Sequence, residues 1–120
     1  MTVRGVRGAT MLQKNDSEEM SEAVIELLQE IFHKNNIENQ DLISIIFTST
    51  KDLDCAFPAA AARKLGLGDV PLICSQEIDV PNAASKVVRI LMHINTDLNR
   101  DQIKHIYLRG AEVLRQDLAQ

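Results

Sequence analysis

Glu77 and Arg89 are the residues of this chain whose types and spacing best suit chemistry. Glu77 follows a short apolar run, residues 70–74, that turns abruptly polar at Ser75-Gln76-Glu77. An apolar run of that length reads as a buried strand. A carboxylate at the end of such a strand is costly without a partner. Arg89 lies inside the next apolar run, residues 87–94. A guanidinium embedded in a strand requires a carboxylate, or a ligand that supplies one. Two readings are open: a structural Glu77–Arg89 ion pair, or a site where the guanidinium meets a bound anion. Strand parity bears on the choice. Val88, Ile90, Met92 and Ile94 form one unbroken apolar face, whereas Val87, Arg89, Leu91, His93 and Asn95 form a mixed one. Helices pack on the first face, so Arg89 points toward water, a ligand or another subunit.

The charge distribution narrows the kind of ligand. Net charge is −4, but residues 16–54 carry ten acids and only two bases. The remainder holds seven acids and eleven bases, mostly arginine: Arg4, Arg7, Arg63, Arg89, Arg100, Arg109 and Arg115. An acidic chain with 3% aromatics is a poor nucleic-acid binder. Scattered arginines suit a small carboxylate or phosphate better, although any one of them has solvation as its ordinary explanation. Cys55 and Cys74 form neither a disulfide framework nor a metal pattern. A nucleophilic pairing of Cys74 with His93 is weaker than a structural Cys74, because nothing places an oxyanion site beside it. His33, His93 and His105 lack ligand spacing, so no metal is expected. No stretch approaches the roughly 18 apolar residues of a membrane span, and the start has no apolar core like a secretion signal. The expectation is a reduced, cytoplasmic protein without membrane contact.

The elements that must position these residues follow from periodicity. One domain, residues 1–120, is expected; 45% hydrophobic and 25% charged residues are ordinary globular values. Residues 2–11 alternate loosely and read as a strand, with Val3, Gly5, Arg7 and Ala9 on one face and Arg4, Val6 and Gly8 on the other. Glycine inside a strand marks a bulge or a close approach. Residues 16–34 are the clearest helix, with Met20, Val24, Leu27, Leu28, Ile31 and Phe32 at helical spacing. Asp16 and Glu19 suit a capping box, and Asn35-Asn36 ends the helix. Residues 42–49, β-branched and almost wholly apolar, read as a central strand. A polar loop, 48–54, leads to Phe57-Pro58, which opens a short helix over 59–65 that stops at Gly66. Phe57 lies outside any periodic pattern and belongs at the surface or an interface. Residues 79–82 form a turn, 97–104 a polar connection and 103–107 a last strand, and Val113-Leu-Arg115 begins a tail. The order suggests an α+β domain: a mixed β-sheet with helices on one face. Its other face, apolar to mixed, argues for oligomerisation.

At this point the chain resembles a family, the monofunctional, trimeric chorismate mutases of the AroH class, nearly end to end. The resemblance rests on Arg4-Gly-Val-Arg-Gly-Ala-Thr10, Phe57-Pro-Ala59 followed by Arg63, Val70-Pro71, Cys74-Ser-Gln-Glu-Ile-Asp-Val80, Arg89, Thr96-Asp97, His105-Ile-Tyr107 and Val113-Leu-Arg115. It implies a protomer that trimerises into a pseudo α/β-barrel, with a site in each cleft between neighbours. It implies conversion of chorismate to prephenate by a pericyclic rearrangement without cofactor or metal, within phenylalanine and tyrosine biosynthesis. One subunit would supply Arg7, Leu72, Ile73, Cys74, Glu77, Arg89, Tyr107, Leu114 and Arg115. The neighbour would supply Phe57, Ala59, Ala60 and Arg63. Arg89 would donate to the ether oxygen, and Glu77 would accept from the ring hydroxyl and face the positive ring. Cys74 would assist as a polarisable neighbour, and Arg7 would bind a carboxylate near Tyr107. Two departures stand out: Ala60 sits where some relatives have lysine, and Ile73 where a threonine can occur. Cys74 and Glu77 have opposite strand parity, so a shared site predicts a break in the pleat between them, with Glu77 at the strand end or in a turn. Two rival readings are an imine or enamine deaminase of similar trimeric architecture, with Glu77 activating water, and a non-catalytic sensor of a carboxylate metabolite.

Overall fold

Alternation and helical spacing are realised nearly as written. A computed structural model describes residues 1–115; residues 116–120, and with them whether the C-terminus closes over a site, lie outside the described residues. The elements are β1 (Thr2–Met11), α1 (Ser17–Lys34), β2 (Leu42–Ser49), α2 (Pro58–Lys64), β3 (Leu72–Gln76), β4 (Val87–Thr96) and β5 (Ile106–Leu108), with single 3-10 turns at Asn39–Asp41, Arg100–Gln102 and Ala111–Leu114. The sheet runs in the order β3-β2-β4-β1-β5. β4 lies at its middle, antiparallel to β1 and β2, while β3 and β5 run parallel to their neighbours at the edges. This is a mixed sheet of an α+β fold. β2, read as central, is interior but sits one place from the middle. Both edge strands are short, which limits the length of unpaired backbone they expose. No described helix is long and apolar enough to cross a membrane.

One face of the sheet carries the helices. Met20, Ala23, Val24, Leu27, Leu28 and Ile31 of α1 are buried against Val6, Ile45, Phe47, Val88, Ile90, Met92 and Ile94. These sheet residues are the inward set that parity assigns, so β4 turns Arg89 away from the helices. At the start of α1, Asp16 accepts from the Glu19 N–H at 2.9 Å, which is half of the expected capping box. Glu19 does not reach back to Asp16. Its carboxylate accepts from the Gln13 and Lys14 N–H groups at 2.7 and 3.1 Å, because Asp16 N–H already donates to the Lys14 carbonyl. At the other end, Asn35 is more than a stop. It is buried, donates to the Ile31 and Lys104 carbonyls and accepts from the Lys104 N–H, pinning α1 to the segment before β5.

Gly8 explains how closely α1 approaches β1. A Cβ there would lie 2.7 Å from Ile31 Cδ1 and 3.4 Å from Leu27 Cδ1. Gly5 points to the other face, where a Cβ would make an ordinary 3.6 Å contact with Leu91. The last strand is shorter and later than the expected 103–107. Ile103 follows a 3-10 turn and packs in the core, and pairing begins only at Ile106. Beyond β5, Arg109 and Gly110 both take positive φ, 54° and 91°. That turn folds the next residues onto the open face, where Ala111 packs with Ala9 and Tyr107, flanked by Met11 and Leu114.

Candidate active site

The open face of the sheet gathers the charged candidates. Arg89 sits opposite Ala9 of β1 and Thr48 of β2. Glu77 is the first residue past β3, and its N–H still donates to the Ser49 carbonyl at 2.9 Å, which holds it beside the sheet. Its Oε1 meets Arg89 Nε at 2.5 Å. Both atoms are shielded from solvent and have each other as charge partner. The ion pair is therefore real, but it does not exhaust the arginine. Contact is made through Nε, while the side chain as a whole remains 43% exposed. By strand register the side chain belongs to the same sheet face as Arg7, Leu91 and Ile73.

The start of β4 is held by a polar strap. Asp52 accepts from Thr50 Oγ1 at 2.5 Å and from the Lys86 N–H at 3.0 Å, and Thr50 Oγ1 in turn accepts from the Val87 N–H at 3.1 Å. Lys86 has a positive φ of 55°, a strained state for a side-chain-bearing residue, and the Asp52 contact holds it there. The strap fixes the backbone two residues from Arg89. Lys51 and Asp79 close a second clasp at 2.9 Å, and the hydrogen bond and charge of Asp79 raise the lysine's pKa. Sequence reading missed both devices. The Thr50-x-Asp52 pattern was the available signal, since such residues bond local backbone in turns.

Arg7 is exposed on β1, and its backbone N–H donates to His105 Nδ1 at 2.9 Å. His105 Nε2 lies 3.5 Å from Arg7 Nη1. Burial first, then the charges of Arg7 and Arg115, hold the imidazole pKa below its ordinary 6.5. Tyr107 is buried on the same face, and Leu114 packs against its cluster. Ile73 is 62% exposed there. Arg7, Ile73, Glu77, Arg89, Tyr107 and Leu114 thus share one side of the sheet, with Arg115 exposed just after them.

Other candidates lie elsewhere. The expected break between Cys74 and Glu77 is absent within the strand, since β3 pairs regularly with β2 through Ser75 and Gln76, although Glu77 does lie at the strand end, as the first residue past β3. Cys74 therefore pairs with Phe47 and packs toward the helix layer, as does Leu72 opposite Ile45. This corrects the expectation that Cys74 shares a face with Glu77. It also separates Cys74 from His93, which contacts Ser44 at 3.2 Å on the open face. Ala59 is 4% exposed and belongs to the core, supporting its neighbours from beneath. Phe57, 70% exposed, and Arg63 stand on the surface of the helix layer. Phe57 lines a 450 Å³ groove with Cys55, Pro58, Cys74 and Gln76, and a second hollow with Ala60 and Lys64. Within one chain the sheet stands between this group and Arg7. No cluster of three metal-ligating side chains occurs among the described residues.

Comparison with known proteins gives a consistent result. Residues 3–118 match the family described as chorismate mutase type I. The chain is 39% identical over 120 residues to "Chorismate mutase AroH" of Bacillus subtilis (strain 168), covering 99% of this chain and 94% of that protein. It is 43% identical over 117 residues to "Chorismate mutase AroH" of Thermus thermophilus, covering 97% and 96%. A solved chorismate mutase from Clostridium thermocellum superposes with a TM-score of 0.90 at 49% identity, covering 92% of this chain and 98% of that one.

Proposed function

Because the chain belongs to the chorismate mutase type I family, we propose that it rearranges chorismate to prephenate in a cleft where the open sheet face of one copy meets the helix layer of another. The deaminase and sensor readings find no support in the family match. The reading places the enzyme in the cytoplasm, in keeping with two free thiols. It makes the assembly a homotrimer whose sheets pack around an axis as a pseudo-barrel, with a site in each cleft between neighbours.

The observation that carries the mechanism is the orientation of Arg89 by Glu77. Chorismate is a dianion in which an ether C–O bond breaks ahead of C–C bond formation. Negative charge grows on the ether oxygen while the ring becomes positive. No proton need move, so the protein must hold the compact conformer and stabilise separated charge. A guanidinium held at Nε presents its terminal N–H groups in a fixed direction, ready to donate to the ether oxygen as its charge develops. The carboxylate of Glu77 lies beside it, where a positive ring and its hydroxyl would sit. Arg7, on the same sheet face as Tyr107, would take a carboxylate, and Arg115 would attract the dianion at the rim. Phe57 and Arg63, separated from these by the sheet in one chain, would come from the neighbour and cover the ring. Ala60 brings no charge to that contact, and Ile73 no hydroxyl, so the substrate is held with fewer polar contacts and a higher KM. Cys74 contributes packing beneath the site.

The test is loss of chorismate absorbance in the ultraviolet, with prephenate confirmed by acid conversion to phenylpyruvate. A fixed donor aimed at developing charge is worth about 3–4 kcal/mol, or on the order of 10²–10³ in kcat. Arg89→Lys keeps the charge but loses the fork, and kcat should fall by about that factor. Near-normal turnover by this variant would overturn the role of Arg89, and inactive wild-type protein would overturn the function.

A further inference from the structure

We infer that His105 is a second substrate donor: its Nε2–H and Arg7 Nη1 converge on one carboxylate oxygen of the bound dianion. The inference rests on the reading of Arg7 as a carboxylate ligand. Its ground is the tautomer. Nδ1 accepts the Arg7 backbone N–H at 2.9 Å, so the ring proton of a neutral imidazole must sit on Nε2. An arginine has donors only. The 3.5 Å approach of Nε2 to Arg7 Nη1 is therefore two N–H groups side by side, not a hydrogen bond between them. Two donors at that spacing repel slightly, and one oxygen anion can accept from both.

The surroundings favour the neutral ring that this needs. The charged groups acting on His105 are Arg7 from β1 and Arg115 from beyond the last 3-10 turn, both cationic, and burial acts in the same direction. The backbone bond from Arg7 fixes the ring plane, so the Nε2–H is oriented before substrate arrives. A histidine here adds a donor without adding a third positive charge.

The experiment compares His105→Asn, His105→Gln and Arg7→Ala for chorismate turnover. Asparagine places its Oδ1 where Nδ1 stands, so the Arg7 backbone bond survives and only the outer donor is lost. KM should rise about tenfold with kcat within about twofold, the pattern of a lost contact made equally in ground and transition states. His105→Gln returns an amide donor near the Nε2 position and should recover part of the loss. Wild-type KM in His105→Asn would show the ring to be only a strut for β1 and would overturn the proposal. Unchanged KM in Arg7→Ala would instead overturn the reading of Arg7, and the paired site with it. If Arg7→Ala raises KM while His105→Asn does not, the proposal alone fails. Ring ¹⁵N shifts give a reading independent of activity: a proton on Nδ1 in the free enzyme would also overturn it.

Discussion

A histidine kept neutral beside two arginines makes stability depend on pH with a definite sign. Burial first, then Arg7 and Arg115, depress the His105 pKa below 6.5 in the folded protein. Between that depressed value and 6.5 the unfolded chain binds more protons than the folded one, so stability rises with pH across the window. The contribution is whole above 6.5 and is lost as pH falls through the folded pKa. Urea midpoints at pH 7 and pH 5 should therefore drop further for the wild type than for His105→Asn, which has no group to protonate there. An equal drop in both proteins would mean that other groups carry the acid sensitivity. Cys74 invites the opposite kind of test, because its chemistry and its placement disagree. A thiol three residues from Glu77 looks like a partner in catalysis. It packs instead behind the strand, against the helix layer. Cys74→Ala should leave kcat within about threefold and lower stability by about 1 kcal/mol or less, the scale of a small truncation at a half-buried position. A hundredfold loss of kcat at unchanged stability would return Cys74 to the site.

Gly8 shows an element-scale constraint, since a hydrogen atom there lets an 18-residue helix settle onto β1. A methyl group would meet Ile31 Cδ1 at 2.7 Å, so the end of that fully buried side chain must shift against its packed neighbours. Gly8→Ala should cost about 1–2 kcal/mol by overpacking, read from the denaturant midpoint. Ile31→Val removes that same Cδ1. The double variant should then be more stable than the sum of the single effects predicts, as coupled neighbours are. Simple additivity would mean that the helix shifts as a whole. The glycine also marks what the sequence could tell. Its position in a strand signalled a close approach, but only the fold shows that the approaching body is Ile31 and not a ligand. The strands and helices themselves were legible because each has a clean period: α1 in its apolar stripe, β4 in its split between Val88-Ile90-Met92-Ile94 and Arg89-Leu91-His93. Arg89 facing away from the helices followed from that split alone. What could not be read depends on contacts distant in sequence. The Asn35 clamp joins residues 69 apart and the Arg7–His105 contact joins residues 98 apart, and neither leaves a local pattern. The regularity of β3 likewise rests on a partner distant in sequence. The break was expected from a role assigned to Cys74, whereas parallel pairing with β2 from Leu72 to Gln76 keeps the pleat intact.

The whole molecule presents a division that one chain does not resolve. Arg7, Glu77 and Arg89 lie on the open sheet face, and Phe57 and Arg63 on the surface of the helix layer. That open face also carries Ile73 at 62% exposure, Val3 at 56% and Leu91 at 40%, an apolar surface suited to burial against another copy. If a site draws Arg89 from one subunit and Arg63 from its neighbour, closed symmetry gives each chain two half-sites in different clefts. Complementation tests this directly. Arg89→Ala and Arg63→Ala proteins, each of low activity alone, are mixed in equal amounts, unfolded together and refolded. In random mixed assemblies about one quarter of the clefts receive both arginines, so turnover should return to about one quarter of the wild-type value. Recovery also requires that assembly, not a contaminant, be the cause, so it must vanish when the two proteins are refolded separately and assayed at once. A site complete within one chain cannot be repaired this way, because every chain in the mixture lacks one arginine. Absence of recovery in correctly assembled mixtures would confine Arg63 to its own protomer and leave the open face to serve assembly alone.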